Sequence, residues 1–218
     1  MRGAQGTCYA ACVSATLEST ARRFKLAPLG VEQYEAMVAS GILPEEPAVE
    51  LLDGLLALKD RSAAGDDPMT IGPEHQWAVN TLAALGPRFH ALGCFISVQG
   101  PVRIVPRSVP EPDAAVVAGA LVDYRRRHAG PADVWSVVEV ADSSLVRDRT
   151  TKLAIYAGAG VQQYVIVNLV DRQVEVHTRP RVLARTYARC AVRTGSQTVA
   201  FAAGPRASVK VKARDLLP

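Results

Sequence analysis

The spacing of apolar and polar positions changes several times along the chain, and each change marks an element. Residues 133–141, Asp-Val-Trp-Ser-Val-Val-Glu-Val-Ala, place Val134, Val137, Val138 and Val140 on both parities. A β-branched run that is apolar on both faces predicts a central strand covered from each side. Residues 147–157 then switch to helical spacing, with Leu153, Tyr156, Ala157 and Gly160 lining one face. Upstream, residues 30–39 read as a short amphipathic helix with Val31, Tyr34 and Met37/Val38 inward and Gly41 as its stop. Residues 49–58 set Asp53-Gly54 between two apolar runs, a β-hairpin pattern.

Residues 60–70 are polar and hold Gly65 and Asp66-Asp67-Pro68, so a loop is expected. Residues 73–85 predict a helix with Trp77, Leu82 and Leu85 in the core, ended or kinked by Gly86-Pro87. The pattern next turns to strands at 94–99, 102–105 and 113–117. After a basic loop or helix end at 124–128 comes the central strand with its helix. A buried strand at 163–167 and a hairpin partner at 173–178 follow, and the rest alternates weakly. The order α, ββ, α, βββ, α, ββ predicts a mixed α/β fold around one sheet. One domain over 26–218 is expected, preceded by a flexible or loosely packed extension at 1–25.

Composition narrows the class. The chain has 218 residues, 49% hydrophobic and 21% charged, and no window approaches a membrane span. Four cysteines, Cys8, Cys12, Cys94 and Cys190, are too few for a disulfide framework, so reduced thiols in a cytoplasmic setting are expected. The net charge of +4 is uneven: residues 1–25 carry +3, 172–218 carry +8, and the middle is therefore 4 − 3 − 8 = −7. An acidic centre beside a basic C-terminal third suits a metal site next to a polyanion-binding face. Scattered solvated arginines produce the same totals.

Glu139 stands inside the apolar run, where an unpaired carboxylate costs several kcal/mol, on the order of burying any lone charge. A divalent metal shared with Asp113 would neutralise it. Asp113 follows Pro110-Glu-Pro112, which places it at the start of a strand, 139 − 113 = 26 residues upstream. That interval leaves room for one connection and a return strand. A few carboxylate oxygens at ~2.1 Å, completed by waters, is how Mg²⁺ is held on proteins. Lys152, one turn before Tyr156, borders the apolar face of the following helix and can reach the strand ends. Spacing alone leaves it open between this role and a surface ion pair with Asp148 at i, i+4.

Several blocks in order resemble the Uma family of restriction-endonuclease-like proteins, within the PD-(D/E)xK nuclease superfamily. They are Val49-Glu-Leu-Leu-Asp-Gly54, Gly72-Pro-Glu-His75, Pro110-Glu-Pro-Asp113, Val138-Glu-Val140, Asp148-Arg-Thr-Thr-Lys152 and Tyr156 through Val167. The resemblance implies a four-stranded mixed core sheet flanked by helices, with an additional N-terminal hairpin and C-terminal strands. It implies a Mg²⁺ site, with Mn²⁺ as substitute, and hydrolysis of nucleic acid, DNA ahead of RNA, by a homodimer. Asp113 then takes the motif aspartate and Glu139 the (D/E) of (D/E)xK. Ala141 stands where the lysine usually does, and Lys152 resembles its relocated replacement. Glu50 resembles an extra acidic metal ligand, and His75 a recurrent polar residue opposite the site. Position alone also fits Glu50 as a hairpin surface charge and His75 as a solvated residue. The 60–71 insert and the first 25 residues depart from the pattern. Two rival expectations stand beside the nuclease: a catalytically inactive nuclease-fold module that binds nucleic acid or a protein, and a hydrolase of small phosphate esters.

Overall fold

The computed structural model describes residues 27–43, 48–58 and 72–218. The 1–25 extension and the 60–71 insert lie outside the described residues. In chain order the elements are helix α1 (Val31–Ala39), the hairpin β1 (Val49–Leu52) and β2 (Leu55–Leu58), α2 (Pro73–Ala83) and α3 (Gly86–His90). Strands β3 (Cys94–Val98), β4 (Ala114–Ala118) and β5 (Val134–Ala141) follow. A helical segment then runs through α4 (Leu145–Arg147), a π-turn (Asp148–Lys152) and α5 (Leu153–Gly158). The chain closes with β6 (Gln163–Asn168), β7 (Gln173–Arg181), β8 (Thr186–Arg193), β9 (Thr198–Ala202) and β10 (Ser208–Lys212).

Strands β3 to β8 form one six-stranded sheet in sequence order. It is antiparallel throughout except between β5 and β6. That parallel step needs a crossover, which the helical segment at 145–158 supplies. As its apolar run predicts, β5 is central, and its alternation divides the core. Val138 and Val140 pack with Val79 and Leu82 of α2 and with Phe201 and Val209 of the β9–β10 hairpin. Val137 and Ala141 face the other way, onto Ile155, Tyr156 and Val161. Glu139 shares the parity of Val137 and Ala141, so its side chain enters the layer beneath the crossover helix.

The hairpin turns where Asp53-Gly54 predicts, with φ of +50° and +85°, the left-handed pair of a type I′ turn. Helix α2 ends at Ala83, three residues before Gly86, and Pro87 stands in the first turn of α3.

Four expectations change. Residues 102–105 make only isolated bridges, Val102 to Ala129 and Ile104 to Ser108, because Pro101 and Pro106 bracket a segment too short for a ladder. Trp77 is 43% exposed rather than in the core, and α2 buries Ala78, Val79 and Leu82 instead. Val38 likewise faces solvent, leaving Val31 and Tyr34 as the inward positions of α1. The central sheet also has six strands rather than four, since β3 and β8 extend both edges.

Candidate functional site

Five sequence-selected residues, Glu50, His75, Asp113, Glu139 and Lys152, meet at the end of the sheet where β5 and β6 finish. The register explains the first pairing. Ala114 lies opposite Val138, so one step further Asp113 lies opposite Glu139 on the same side of the sheet. Asp113 precedes β4 directly, and its Oδ2 accepts the Val140 amide at 2.7 Å. Its Oδ1 lies 3.0 Å from Nε2 of His75 in the first turn of α2.

Lys152 is not a surface residue: it is 3% exposed, with Nζ 3.0 Å from Oε1 of Glu139 and 3.3 Å from Oε2 of Glu50. Glu50 is 1% exposed, which excludes the surface-charge reading of the hairpin. Its Oε2 also accepts the Glu111 amide at 3.1 Å. The Tyr156 hydroxyl, one turn along from Lys152, donates to the same Oε1 of Glu139 at 3.1 Å. A π-turn at 148–152 widens the helix here, a feature that recurs at functional sites. The Tyr164 hydroxyl from β6 donates to the Asp148 carbonyl at 3.0 Å and ties that turn to the sheet. The turn leaves Asp148 and Lys152 both buried.

Asp148 and Tyr156 are the members that sequence reasoning missed. The i, i+4 spacing of Asp148 and Lys152 was the available signal. That spacing leaves open a surface ion pair, because a polar Asp-Arg-Thr-Thr-Lys run has the composition of a solvated turn. The Ser144 hydroxyl donates to Oδ2 of Asp148 at 2.6 Å, while its Oδ1 is buried without a hydrogen-bond partner. Oε1 of Glu50 is in the same condition.

The electrostatics follow from crowding. Burial lifts the Glu139 carboxyl well above the usual carboxylate range, Lys152 pulls it down in part, and Asp148, Asp113 and Glu50 raise it further. Burial disfavours the Lys152 ammonium, but Glu139, Glu50 and Asp148 outweigh that and hold it above its ordinary value. Burial likewise opposes a charged His75, and the contact with Asp113 outweighs it, so His75 is raised. Asp148 is raised by burial, with Lys152 and Ser144 opposing.

Four carboxyl groups therefore surround one ammonium and one imidazole, and two buried carboxylate oxygens lack partners. This is a hard, oxygen-rich, electron-surplus pocket, and its donor set fits Mg²⁺ or Mn²⁺. Among the described residues no three His, Cys, Asp or Glu side chains converge to enclose an ion. Two carboxylates completed by waters meet the ordinary Mg²⁺ requirement. Asp113 and His75, with side chains 15% and 21% exposed, are the open side of the cluster.

A second polar cluster adjoins the first along the sheet. Glu139 pairs with Ile166 and Ile166 with Glu175, so Glu175 lies two strands away in the same row. Arg149, from the π-turn, binds Glu175 through Nε and Nη2 and reaches Asp171 at 3.1 Å.

The chain is thus a mixed α/β protein with an acid–lysine cluster at the ends of adjacent strands. Residues 31–209 match the Uma2 family, described as "putative restriction endonuclease", and the chain belongs to that family. Among solved structures it is similar to "a putative nuclease belonging to DUF820" from Anabaena variabilis ATCC 29413. The TM-score is 0.59 at 14% identity, over 87% of this chain and 97% of that one. The fold is thus shared with a nuclease-like structure. No curated protein matches the chain.

Proposed function

We propose that the chain is a metal-dependent nuclease that hydrolyses phosphodiester bonds, with duplex DNA as substrate. The observation that carries this reading is Lys152, buried between Glu139 and Glu50 while Asp113 stands opposite Glu139 across the β4–β5 pair. Asp113 and Glu139, completed by waters, would hold Mg²⁺, with Glu50 fixing Lys152 beside them. When bound, the ion lowers the pKa of a coordinated water and stabilises charge on the phosphate.

The chain's own side chains supply the rest. Lys152 keeps its proton and presents an ammonium beside Glu139, where it orients a water and offsets the negative charge that builds on the phosphate. Tyr156 holds Oε1 of Glu139 and fixes the carboxylate's direction. His75 lies at the open mouth against Asp113, placed to hold the aspartate rotamer and to exchange a proton with solvent. The apolar layer beneath excludes water and strengthens each of these interactions.

The test is cleavage of supercoiled plasmid DNA with and without Mg²⁺, in wild type, Asp113→Ala and Glu139→Ala, with circular dichroism as the check on folding. Cleavage that requires Mg²⁺ and disappears in both folded variants supports the reading, and unchanged cleavage in both refutes it. One observation favours the rival reading of an inactive nucleic-acid-binding module: both oxygens of Asp113 already have protein partners. Calorimetry with Mn²⁺ separates the two, because the inactive module would take up no ion at this cluster.

A further inference from the structure

The loop between β4 and β5 builds a second feature, at the other end of the strand from Glu139. Arg103, Tyr124, Arg125, Arg126, Arg127 and His128 line an open cleft of about 810 Å³, with Glu35 and Asp133 on its walls. Four arginines against two carboxylates leave a lining charge of +2 with His128 neutral. The four are not equivalent. Arg103 is held by Glu35 at 2.7 Å and Glu32 at 3.2 Å. Arg127 makes a bidentate pair with Asp133 at 2.6 and 3.1 Å and stacks over the Tyr124 ring at 4.4 Å. Arg125 and Arg126 are exposed, and among the described residues neither has an ion pair or side-chain hydrogen bond.

The backbone that carries these two free guanidinium groups is braced. The Tyr124 hydroxyl donates to the Ala118 carbonyl at 2.9 Å, and Asp123 accepts the Ala120 amide at 2.9 Å. The Gly130 amide donates to Asp133 at 2.8 Å, and the Arg103 amide to the Ala129 carbonyl at 2.8 Å. Arg127, spent internally on Asp133 and Tyr124, locks the loop so that Arg125 and Arg126 project from a fixed frame. A solvated charge run has no need of such bracing. A surface that must meet phosphates at a set position has, because a preorganised guanidinium loses less entropy on binding.

Val134, where the loop enters β5, is five residues from Glu139, roughly 17 Å at the rise of a strand. Tyr124 and Ala129 pack against the same core layer that Glu139 faces.

We infer that Arg125 and Arg126 form a phosphate-docking surface that grips the duplex DNA backbone at a place separate from the cleavage centre. This rests on the nuclease reading for its choice of DNA. Phosphate contacts of this kind position a duplex without reading its sequence.

The experiment is fluorescence anisotropy with a labelled 20-base-pair duplex in EDTA, titrated with NaCl. It compares wild type, Arg125→Ala/Arg126→Ala, and Lys210→Ala/Lys212→Ala, which removes the same charge from the opposite layer. The arginine pair is expected to lower the slope of log K against log salt by about 1.8, from two phosphate contacts at about 0.9 each. The lysine pair is expected to leave the slope near wild type, and thermal melting reports folding of each variant. Equal slopes in wild type and the arginine pair overturn the inference. So does an equal loss in the lysine pair, which would make the effect one of net charge. Binding of a labelled oligo-glutamate peptide as tight as the DNA also overturns it, since the loop would then be a generic anion surface. If DNA is bound through these arginines but never cut with Mg²⁺, the nuclease reading fails while the docking surface stands.

Discussion

Lys152 Nζ lies 3.0 Å from Glu139 Oε1, linking the crossover helix to the central strand inside the core. Both side chains are almost wholly buried, so neither charge is stable alone. Lys152→Met leaves Glu139 and Glu50 without their counter-ion. It should cost about 3–5 kcal/mol in urea unfolding, the range for breaking a buried pair. Lys152→Met with Glu139→Gln should recover part of that loss, because of the two carboxylates left without a counter-ion only Glu50 then remains. Cleavage should not recover, which separates the catalytic part of the interaction from the structural one. Equal destabilisation in the single and double variants would show that the pair is not coupled.

The raised carboxyl of Glu139 makes metal uptake pH-dependent. Between the unfolded glutamate value, about 4.3, and the higher folded value, the native state binds a proton that the unfolded chain has lost. The metal-free protein therefore loses stability as pH rises through that window. Metal binding requires the carboxylate and so opposes this loss. The melting-temperature gain produced by excess Mn²⁺ should grow from pH 5 to pH 8, and Glu139→Gln should flatten the gain across the range. A gain that shrinks as pH rises would contradict the sign.

Glu50 reaches the cluster only if the β1–β2 hairpin is seated. Gly54 has φ of +85°, and a Cβ there would run into Pro28. The Gly54 amide donates to the Arg107 carbonyl at 2.7 Å, and its carbonyl accepts the Leu29 amide at 2.9 Å. Gly54→Ala should therefore cost more than about 1 kcal/mol, because the native backbone suits glycine and the space is taken. It should also lower metal affinity by displacing Glu50, although residue 54 touches no charged group of the site. Calorimetry on the folded variant checks this, with Asp53→Asn as a control that keeps the turn.

The sequence made the centre of the molecule legible because its signals are strong and local. The both-faces-apolar run gave β5, Asp53-Gly54 gave the turn, and Pro110-Glu-Pro112 placed Asp113 at a strand's beginning. The acid inside β5 stood out because burying it needs a partner. What stayed hidden depends on tertiary contacts. Trp77 has core composition but faces solvent, since α2 turns Ala78, Val79 and Leu82 inward instead. Asp148 reads as surface charge, because nothing in Asp-Arg-Thr-Thr-Lys announces that the π-turn will bury two of its five residues. The split between paired Arg127 and unpaired Arg125 and Arg126 depends on where Asp133 lies in space. Three consecutive arginines cannot be told apart by sequence.

The neighbouring Glu175–Arg149 contact should hold the π-turn in place. Burial would raise Glu175, but His177 at 3.8 Å and hydrogen bonds from Arg149, Asn168 and Gln173 outweigh it and hold the carboxyl well below its usual range. A carboxyl depressed in the folded state contributes stability above its unfolded value, about 4.3, and that contribution is lost as pH falls toward the folded value. Glu175→Gln should therefore unfold at a higher urea concentration relative to wild type at pH 3 than at pH 7, as the difference between the two proteins narrows in acid. At pH 7 it should cost about 1.5–3 kcal/mol, the range for hydrogen bonds to a charged group. Because Arg149 lies in the same turn as Lys152, the variant should also slow cleavage without abolishing Mn²⁺ binding. Full activity in a folded Glu175→Gln protein would show that the turn holds its shape without this anchor.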